Sequence, residues 1–374
     1  MAVNSSDRAK KIFENIERDS NITAKPEIFI LANGVEPHLD ASFFYLTGFP
    51  YGLFEGSYAV AKRDGNVSVL TTPLEADIAN SHSDGMEVIA DERAGLHNKL
   101  SRIVANPSVI GVNSSELEYE SFLKIKSAFR NSTVVDVSNA IAGTRVIKDE
   151  GEIEAIKKAC NISSKIYRRI PQKLKDGISE NQLAAEMAYE MQSSGASGNA
   201  FDPIVAFGKN SAEPHYSPGK VKLRKGQFVL LDYGSKYRRY CSDITRTLIH
   251  GTATREQKKM YQTVREALEI GTENCLISNS GADVDAKVAS HINSTEFKGR
   301  FIHSTGHSLG LSVHDVGPGL SKRDTKNLEP GMVLTVEPGI YVPGVGGVRI
   351  EDDVLITKGK PKVLTSASRE LIEA

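Results

Sequence analysis

The stretch Phe228–Thr247, FVLLDYGSKYRRYCSDITRT, constrains this chain more than any other. It reads as one β-hairpin carrying two acidic residues, Asp232 and Asp243. An apolar run, Phe228–Asp232, ends in a carboxylate, and Tyr240–Thr247 returns with Asp243 inside it. With the turn centred on Tyr237 and Arg238, the two carboxylates face each other across the strands. Directly opposed side chains lie ~5 Å apart, and like charges there destabilise the pair. Coulomb's law puts the repulsion at roughly 3 kcal/mol in an effective dielectric near 20. Something cationic must lie between them. Lys236, Arg238, Arg239 and Arg246 are near in sequence, but those at the turn point to solvent. A metal ion is the sharper candidate.

At 374 residues the chain is long enough for two domains. Its formal net charge of -1 argues against nucleic-acid binding, which uses a basic stripe. No run of ~18 apolar residues is present, so no membrane span is expected. The N-terminus, MAVNSSDRAKK, lacks the apolar stretch of a signal peptide. The three cysteines, Cys160, Cys241 and Cys275, are far apart and make no disulfide framework, which fits a reducing cytoplasm. Cys241 lies two residues from Asp243, where a thiol could stand near the site, but it is read as a packing or surface residue.

The first part of the chain alternates short strands and helices. Ile28–Ala32 is a buried strand. Tyr58–Lys62 and Val67–Thr71 flank Asp64-Gly65, a hairpin signal. Gly95–Ile103 and Leu117–Phe129 read as helices between further strands. The sharpest boundary falls around residues 140–150, giving an α/β domain at 1–142 and a second domain at 143–374. The second opens on an acidic helix start, Asp149–Glu152. Ser179–Gln182 and Thr254–Gln257 are capping boxes for later helices. Its pattern is helix–helix–strands, given twice, a duplication of architecture without enough sequence similarity to name a repeat.

Three later features supply ligand types that suit the hairpin carboxylates. His303, His307 and His314 fall in a glycine-spaced run, where glycine permits close backbone approach. Glu337 ends an apolar strand before Pro338-Gly339. Gly347–Leu355 alternates apolar with charged residues, which puts Arg349, Glu351 and Asp353 on one strand face. Singly, each has a bland reading: a core histidine, a solvated acid, a strand with a wet face. Together, Asp232, Asp243, His307, Glu337 and Glu351 offer four carboxylates and an imidazole. Two divalent cations neutralise that charge. An oxygen-rich set suits Mn²⁺, Co²⁺, Fe²⁺ or Zn²⁺ in a catalytic role. Two such ions can share a bridging water and bring its pKa toward neutrality, giving a hydroxide nucleophile.

These five residues, in this order and spacing, resemble the metal-binding pattern of the pita-bread metallopeptidases, a family that includes methionine aminopeptidase, Xaa-Pro aminopeptidase and Xaa-Pro dipeptidase (prolidase). The resemblance covers roughly residues 145–374. The first domain, with FFYLTGF at Phe43–Phe49, resembles the N-terminal domain of the proline-directed members and creatinase. The implied fold is α+β, a C-terminal pita-bread domain behind a smaller α/β creatinase-type domain. The resemblance implies that Asp232 chelates one metal, that Asp243 and Glu351 bridge both, and that His307 and Glu337 hold the second. Glu337 would also orient or deprotonate the attacking water. His215 and His314 match substrate-side histidines, His314 helping to stabilise the tetrahedral intermediate, and Arg349 would hold a ligand carboxylate in place. Asp315 stands where many relatives have Glu, and Ser304 and Ser308 where they often have Gly.

The implied reaction is hydrolysis of the bond preceding proline, with a metal-bridging hydroxide as nucleophile and Mn or Co as the metals, Zn or Fe as substitutes. The implied substrate is a peptide with proline at its second position. Neither nucleic acid nor membrane is an expected partner, and a cytoplasmic homodimer is the expected assembly. Xaa-Pro dipeptidase is the leading reading and Xaa-Pro aminopeptidase its close rival. A creatinase-like hydrolase or a non-catalytic binding protein are remoter ones. Phe201, Ile204, Tyr216 and Tyr341 are the candidates for the walls of the proline pocket.

Overall fold

A computed structural model describes residues 4–104 and 106–374. The chain divides into two compact units between Arg145 and Val146. The first unit runs α1 (Ser5–Arg18), β1 (Ile28–Ala32), α2 (Ala41–Thr47), β2 (Tyr58–Lys62), β3 (Val67–Thr71), α3 (Pro73–Ser81), β4 (Glu87–Ala90), α4 (Arg93–Ile103), β5 (Val109–Val112), α5 (Tyr119–Ala128), β6 (Thr133–Asp136) and α6 (Ser138–Val146). Its six strands form one sheet in the order β4-β3-β2-β1-β5-β6. Gly65, at φ 92°, turns β2 into β3, pairing Ala61 with Val67. The aromatic stretch FFYLTG is helical: α2 is capped by Asp40, which accepts from Ser42 N at 2.7 Å, and Phe43, Phe44 and Tyr45 are buried.

The second unit runs α7 (Glu150–Tyr167), α8 (Glu180–Ser193), β7 (Gly198–Asn199), β8 (Ile204–Phe207), β9 (Gln227–Tyr233), β10 (Ser235–Tyr237), β11 (Tyr240–Cys241), β12 (Ile244–His250), α9 (Arg255–Glu273), α10 (Gly281–Asn293), β13 (Val333–Val336), β14 (Gly339–Val342), β15 (Gly346–Arg349), β16 (Asp352–Leu355) and β17 (Lys362–Val363). Capping boxes start α7, α8, α9 and α10, each satisfying backbone N–H groups that the helix itself leaves open. One core joins Ile166, Leu183, Met187 and Met191 of α7 and α8 to Val205, Val229, Leu231 and Leu248 of the β8-β9-β12 sheet. Another joins Val264, Leu268, Val284 and Val288 of α9 and α10 to Leu334, Val336, Val348 and Val354. Each fully buried aliphatic side chain contributes about 1.5–3 kcal/mol relative to exposure. A helix pair packed on strands thus occurs twice, on the β8-β9-β12 sheet and on strands of the β13-β16-β17 and β14-β15 sheets. Among the described residues, no helix is long and apolar enough to cross a membrane.

The hairpin register differs from expectation. Asp232 pairs with Thr245, not Asp243, and Lys236 pairs with Cys241. The turn residues are Arg238 and Arg239, at φ 47° and 72°. Such a two-residue turn with positive φ follows the strand twist. It lies one residue later than the sequence suggested, and that moves the pairing by two. Asp243 becomes a diagonal neighbour of Asp232, at a spacing where like charges repel less. The Arg349–Asp353 segment also differs. It is two strands, β15 and β16, joined by Ile350 and Glu351, and its charged side chains are all buried instead of wet.

Candidate metal centre

Four of the five expected ligands stand at or beside a strand end. Asp232 is the penultimate residue of β9, and Asp243 precedes β12 by one position. Glu337 follows β13 directly. Glu351 fills the break between β15 and β16, where its N–H donates to Thr245 O at 3.1 Å. His307 comes from a loop pinned along β13: Thr335 N donates to His307 O at 2.9 Å, and His307 N donates to Thr335 Oγ1 at 3.1 Å. The loop can lie this close because residue 306 is glycine. A Cβ there would stand 1.9 Å from the Thr335 carbonyl oxygen.

Asp243, His307 and Glu351 each offer one ligand atom, all within 4.8 Å of one another. His307 Nε2 lies 3.7 Å from Asp243 Oδ2 and 3.6 Å from Glu337 Oε1. The Arg349 guanidinium donates to Asp232 Oδ2, to Thr245 Oγ1 at 3.0 Å and to the Tyr341 hydroxyl at 2.8 Å. Thr245 in turn donates to Glu351 Oε2 at 2.7 Å. One arginine and one threonine therefore orient two of the carboxylates. The opposite oxygens, Asp232 Oδ1, Asp243 Oδ1 and Glu351 Oε1, are buried without a hydrogen-bond partner. A buried acceptor left unpaired costs free energy. Three on neighbouring carboxylates are what a cation would satisfy.

The electrostatics agree. Burial, then the charges of Glu351 and Asp232, pushes the Asp243 carboxyl far above its ordinary value. Burial and Glu337 do the same to Glu351. Glu337 is raised to about 8, mainly by burial. His307 moves the other way, to about 4, through burial and then the neighbouring His314. It is neutral near pH 7. Its Nδ1 donates to Ser308 O at 3.1 Å, which leaves the Nε2 lone pair for a ligand. Carboxylate oxygens plus a neutral imidazole fit a divalent ion, whose arrival displaces the protons these groups otherwise hold.

The substrate-side histidines are placed differently from one another. His314 is exposed and stacks on His307, ring centroids 3.9 Å apart. His215 is exposed too, yet close enough for its charge to depress the pKa of His303 and His314. His303 Nε2 hydrogen-bonds the Tyr341 hydroxyl at 2.9 Å. Among the candidates for pocket walls, Ile204 pairs with Asp232 across β8 and β9, and Phe201 lies against Gly234. Tyr216 instead donates its hydroxyl to Glu180 at 2.8 Å, and Tyr341 is a polar link between Arg349 and His303.

Sequence reasoning missed the hydrogen bonds that Thr245, Asp353 and Cys160 make around the centre. Asp353 Oδ2 accepts from the Asp243 backbone N–H at 3.0 Å and from Cys160 Sγ at 3.2 Å. It is fully buried, and burial raises its carboxyl to about 8. Alternation along the chain had put Asp353 on the ligand side. Nothing local pointed to a thiol on α7 as its partner.

Residues 154–358 match the model of metallopeptidase family M24, and residues 10–147 that of the Creatinase/Prolidase N-terminal domain. The chain is similar to an Xaa-Pro dipeptidase of Pyrococcus horikoshii, 32% identical over 373 residues, covering 98% of this chain and 99% of that one. Among solved structures it is similar to an Xaa-Pro dipeptidase from Bacillus anthracis, with a TM-score of 0.88 at 31% identity over 99% of both chains. It is also similar to an X-Pro aminopeptidase from Thermotoga maritima, with a TM-score of 0.88 at 30% identity, covering 96% of this chain and 99% of that one.

Proposed function

The chain belongs to metallopeptidase family M24, and from that premise we propose that it hydrolyses Xaa-Pro dipeptides with two divalent ions held by Asp232, Asp243, His307, Glu337 and Glu351. The observation that carries this reading is the convergence of Asp243, His307 and Glu351 around carboxylate oxygens that have no partner. The catalytic domain, expected at residues 143–374, follows the N-terminal domain along the chain, and the division between Arg145 and Val146 puts its start three residues later. When bound, the ions supply Lewis acidity toward the scissile carbonyl and an activated water.

The protein's own groups do the rest. Arg349 holds Asp232 and Thr245 holds Glu351, so neither carboxylate must reorganise during the reaction. Glu337, whose Oε1 lies 3.6 Å from His307 Nε2, is the group that orients the attacking water and takes up and releases its proton. His314 and His215 donate hydrogen bonds to the oxygen on which charge develops. An X–Pro bond has no N–H, so the site must accept the ring without asking for that donor, and the departing nitrogen must gain a proton. Mn or Co is the proposed metal, and a cytoplasmic homodimer the proposed assembly. The free thiols Cys160, Cys241 and Cys275 support a reducing compartment.

An Xaa-Pro aminopeptidase is the second reading, supported by the equal TM-scores of the aminopeptidase and dipeptidase structures. Turnover of Gly-Pro and Met-Pro against a tripeptide with proline second separates the two. Dipeptide hydrolysis that a chelator abolishes and Mn²⁺ or Co²⁺ restores is the expected result. Activity indifferent to chelation would refute the metal reading, and preference for the tripeptide would favour the rival.

A further inference from the structure

A buried ion pair lies behind the loop that carries His307 and His314, and the chemistry above does not use it. Lys148 Nζ is 3.7 Å from Asp315 Oδ2, with the two side chains only 1% and 2% exposed. Lys148 precedes α7, and its backbone N–H donates to Gly331 O at 2.9 Å, just ahead of β13. Asp315 follows His314 directly. Its N–H donates to Ser308 O at 2.9 Å, and that same carbonyl accepts from His307 Nδ1. Its Oδ1 accepts from Val316 N at 2.9 Å. The loop closes tightly over the pair: a Cβ on Gly310 would stand 2.0 Å from Asp315 Oδ2 and 3.2 Å from Lys148 Cε.

Desolvating two charges seldom yields net stability. A pair in this position has another use, because Asp315 and His307 meet at one carbonyl. We propose that Lys148 and Asp315 are positioning residues, which hold Ser308 O where it fixes the His307 tautomer and keeps His314 stacked on that ring. The consequence for metal binding rests on the reading of the centre given above, but the effect on the tautomer does not.

The test uses full-length Lys148→Met and Asp315→Asn, the second nearly isosteric. Histidine ¹⁵N shifts in chelator-treated protein report the His307 tautomer, and the visible absorption of added Co²⁺ reports its coordination and affinity. Wild type is expected to show His307 protonated at Nδ1. Both variants are expected to show mixed tautomers, a changed Co²⁺ spectrum and affinity weaker by about 10–100-fold. An unchanged tautomer in both variants overturns the proposal. So does loss of folding in both, which would make the pair a stability element. If wild type binds no Co²⁺, the metal reading fails while the tautomer comparison still decides the function of the pair.

Discussion

For a single residue at the centre, burial and charge act together. Asp243 is buried among other carboxyls, and its raised pKa means that the metal-free protein must keep it protonated or bear its charge. Asp243→Asn keeps the shape and removes the charge. Metal content and Xaa-Pro turnover are expected to fall by more than the ~100-fold that outer-shell changes cost. After chelation, the variant is expected to melt above wild type at pH 8, and by less at pH 5. A chelated variant that melts lower would contradict this. Glu337 gives a second test. A carboxyl raised in the folded state contributes stability that is present below its ordinary value, 4.5 for Glu, and lost as pH rises through the folded value, about 8 for both Glu337 and Asp353. His303 and His307, lowered from 6.5 to about 4, act oppositely, but only below pH 6.5. Between pH 6.5 and 8 the carboxyls therefore dominate. Chelated wild type is expected to lose melting temperature across that window, Glu337→Gln to lose less, and metal-loaded protein to stay flat. Parallel slopes for wild type and Glu337→Gln would refute the assignment.

At the level of elements, the strand that presents Asp243 is anchored from behind by its own arginine. Arg246 of β12 is fully buried. It donates to Ser368 O at 2.8 Å, Thr245 O at 2.9 Å, Glu351 O, Asp352 Oδ1 at 2.7 Å and Ala367 O at 2.9 Å. All five guanidinium N–H groups are thereby used. Arg246→Met leaves buried acceptors open and Asp352 with Arg369 as its remaining cation. Urea unfolding is expected to show a loss of ~3–5 kcal/mol, and Arg246→Lys is expected to recover little, since an ammonium has three donors. A loss below ~1 kcal/mol would mean that water fills the space without penalty. None of this was legible in sequence, where Arg246 was one cation near two acids. The hairpin register was obscured for a related reason: Arg238-Arg239 lacks the Asn-Gly signature of its turn, whereas Asp64-Gly65 announced the β2–β3 hairpin. Helix α6, SNAIAGTRV, went unread because its apolar residues are sparse, although Ala140 and Ile141 are buried.

For the whole molecule, the order of ligand types along the chain carried more than any one strand did. Five residues spread from Asp232 to Glu351 carried the resemblance of the second domain to the pita-bread family, which agrees with the match over residues 154–358, and FFYLTGF with the Asp64-Gly65 hairpin carried that of the first, which agrees with the match over 10–147. Interactions between residues far apart, such as Cys160 with Asp353, could not be read, because nothing local distinguishes a core thiol from one hydrogen-bonded to a carboxylate. The division of the chain makes a last prediction possible. All five proposed ligands lie in the unit that starts at Val146, while the first unit has its own sheet and core. A ligand that binds only the folded form stabilises what it touches, by ~2.7 kcal/mol at a hundredfold excess over its dissociation constant. For a unit of this size that raises the midpoint by roughly 5–10 °C. Calorimetry with chelator and then with Mn²⁺ is therefore expected to show two transitions, of which Mn²⁺ moves one. A single transition that moves as a whole would mean that the units unfold together, and the metal would then stabilise the first unit through the second.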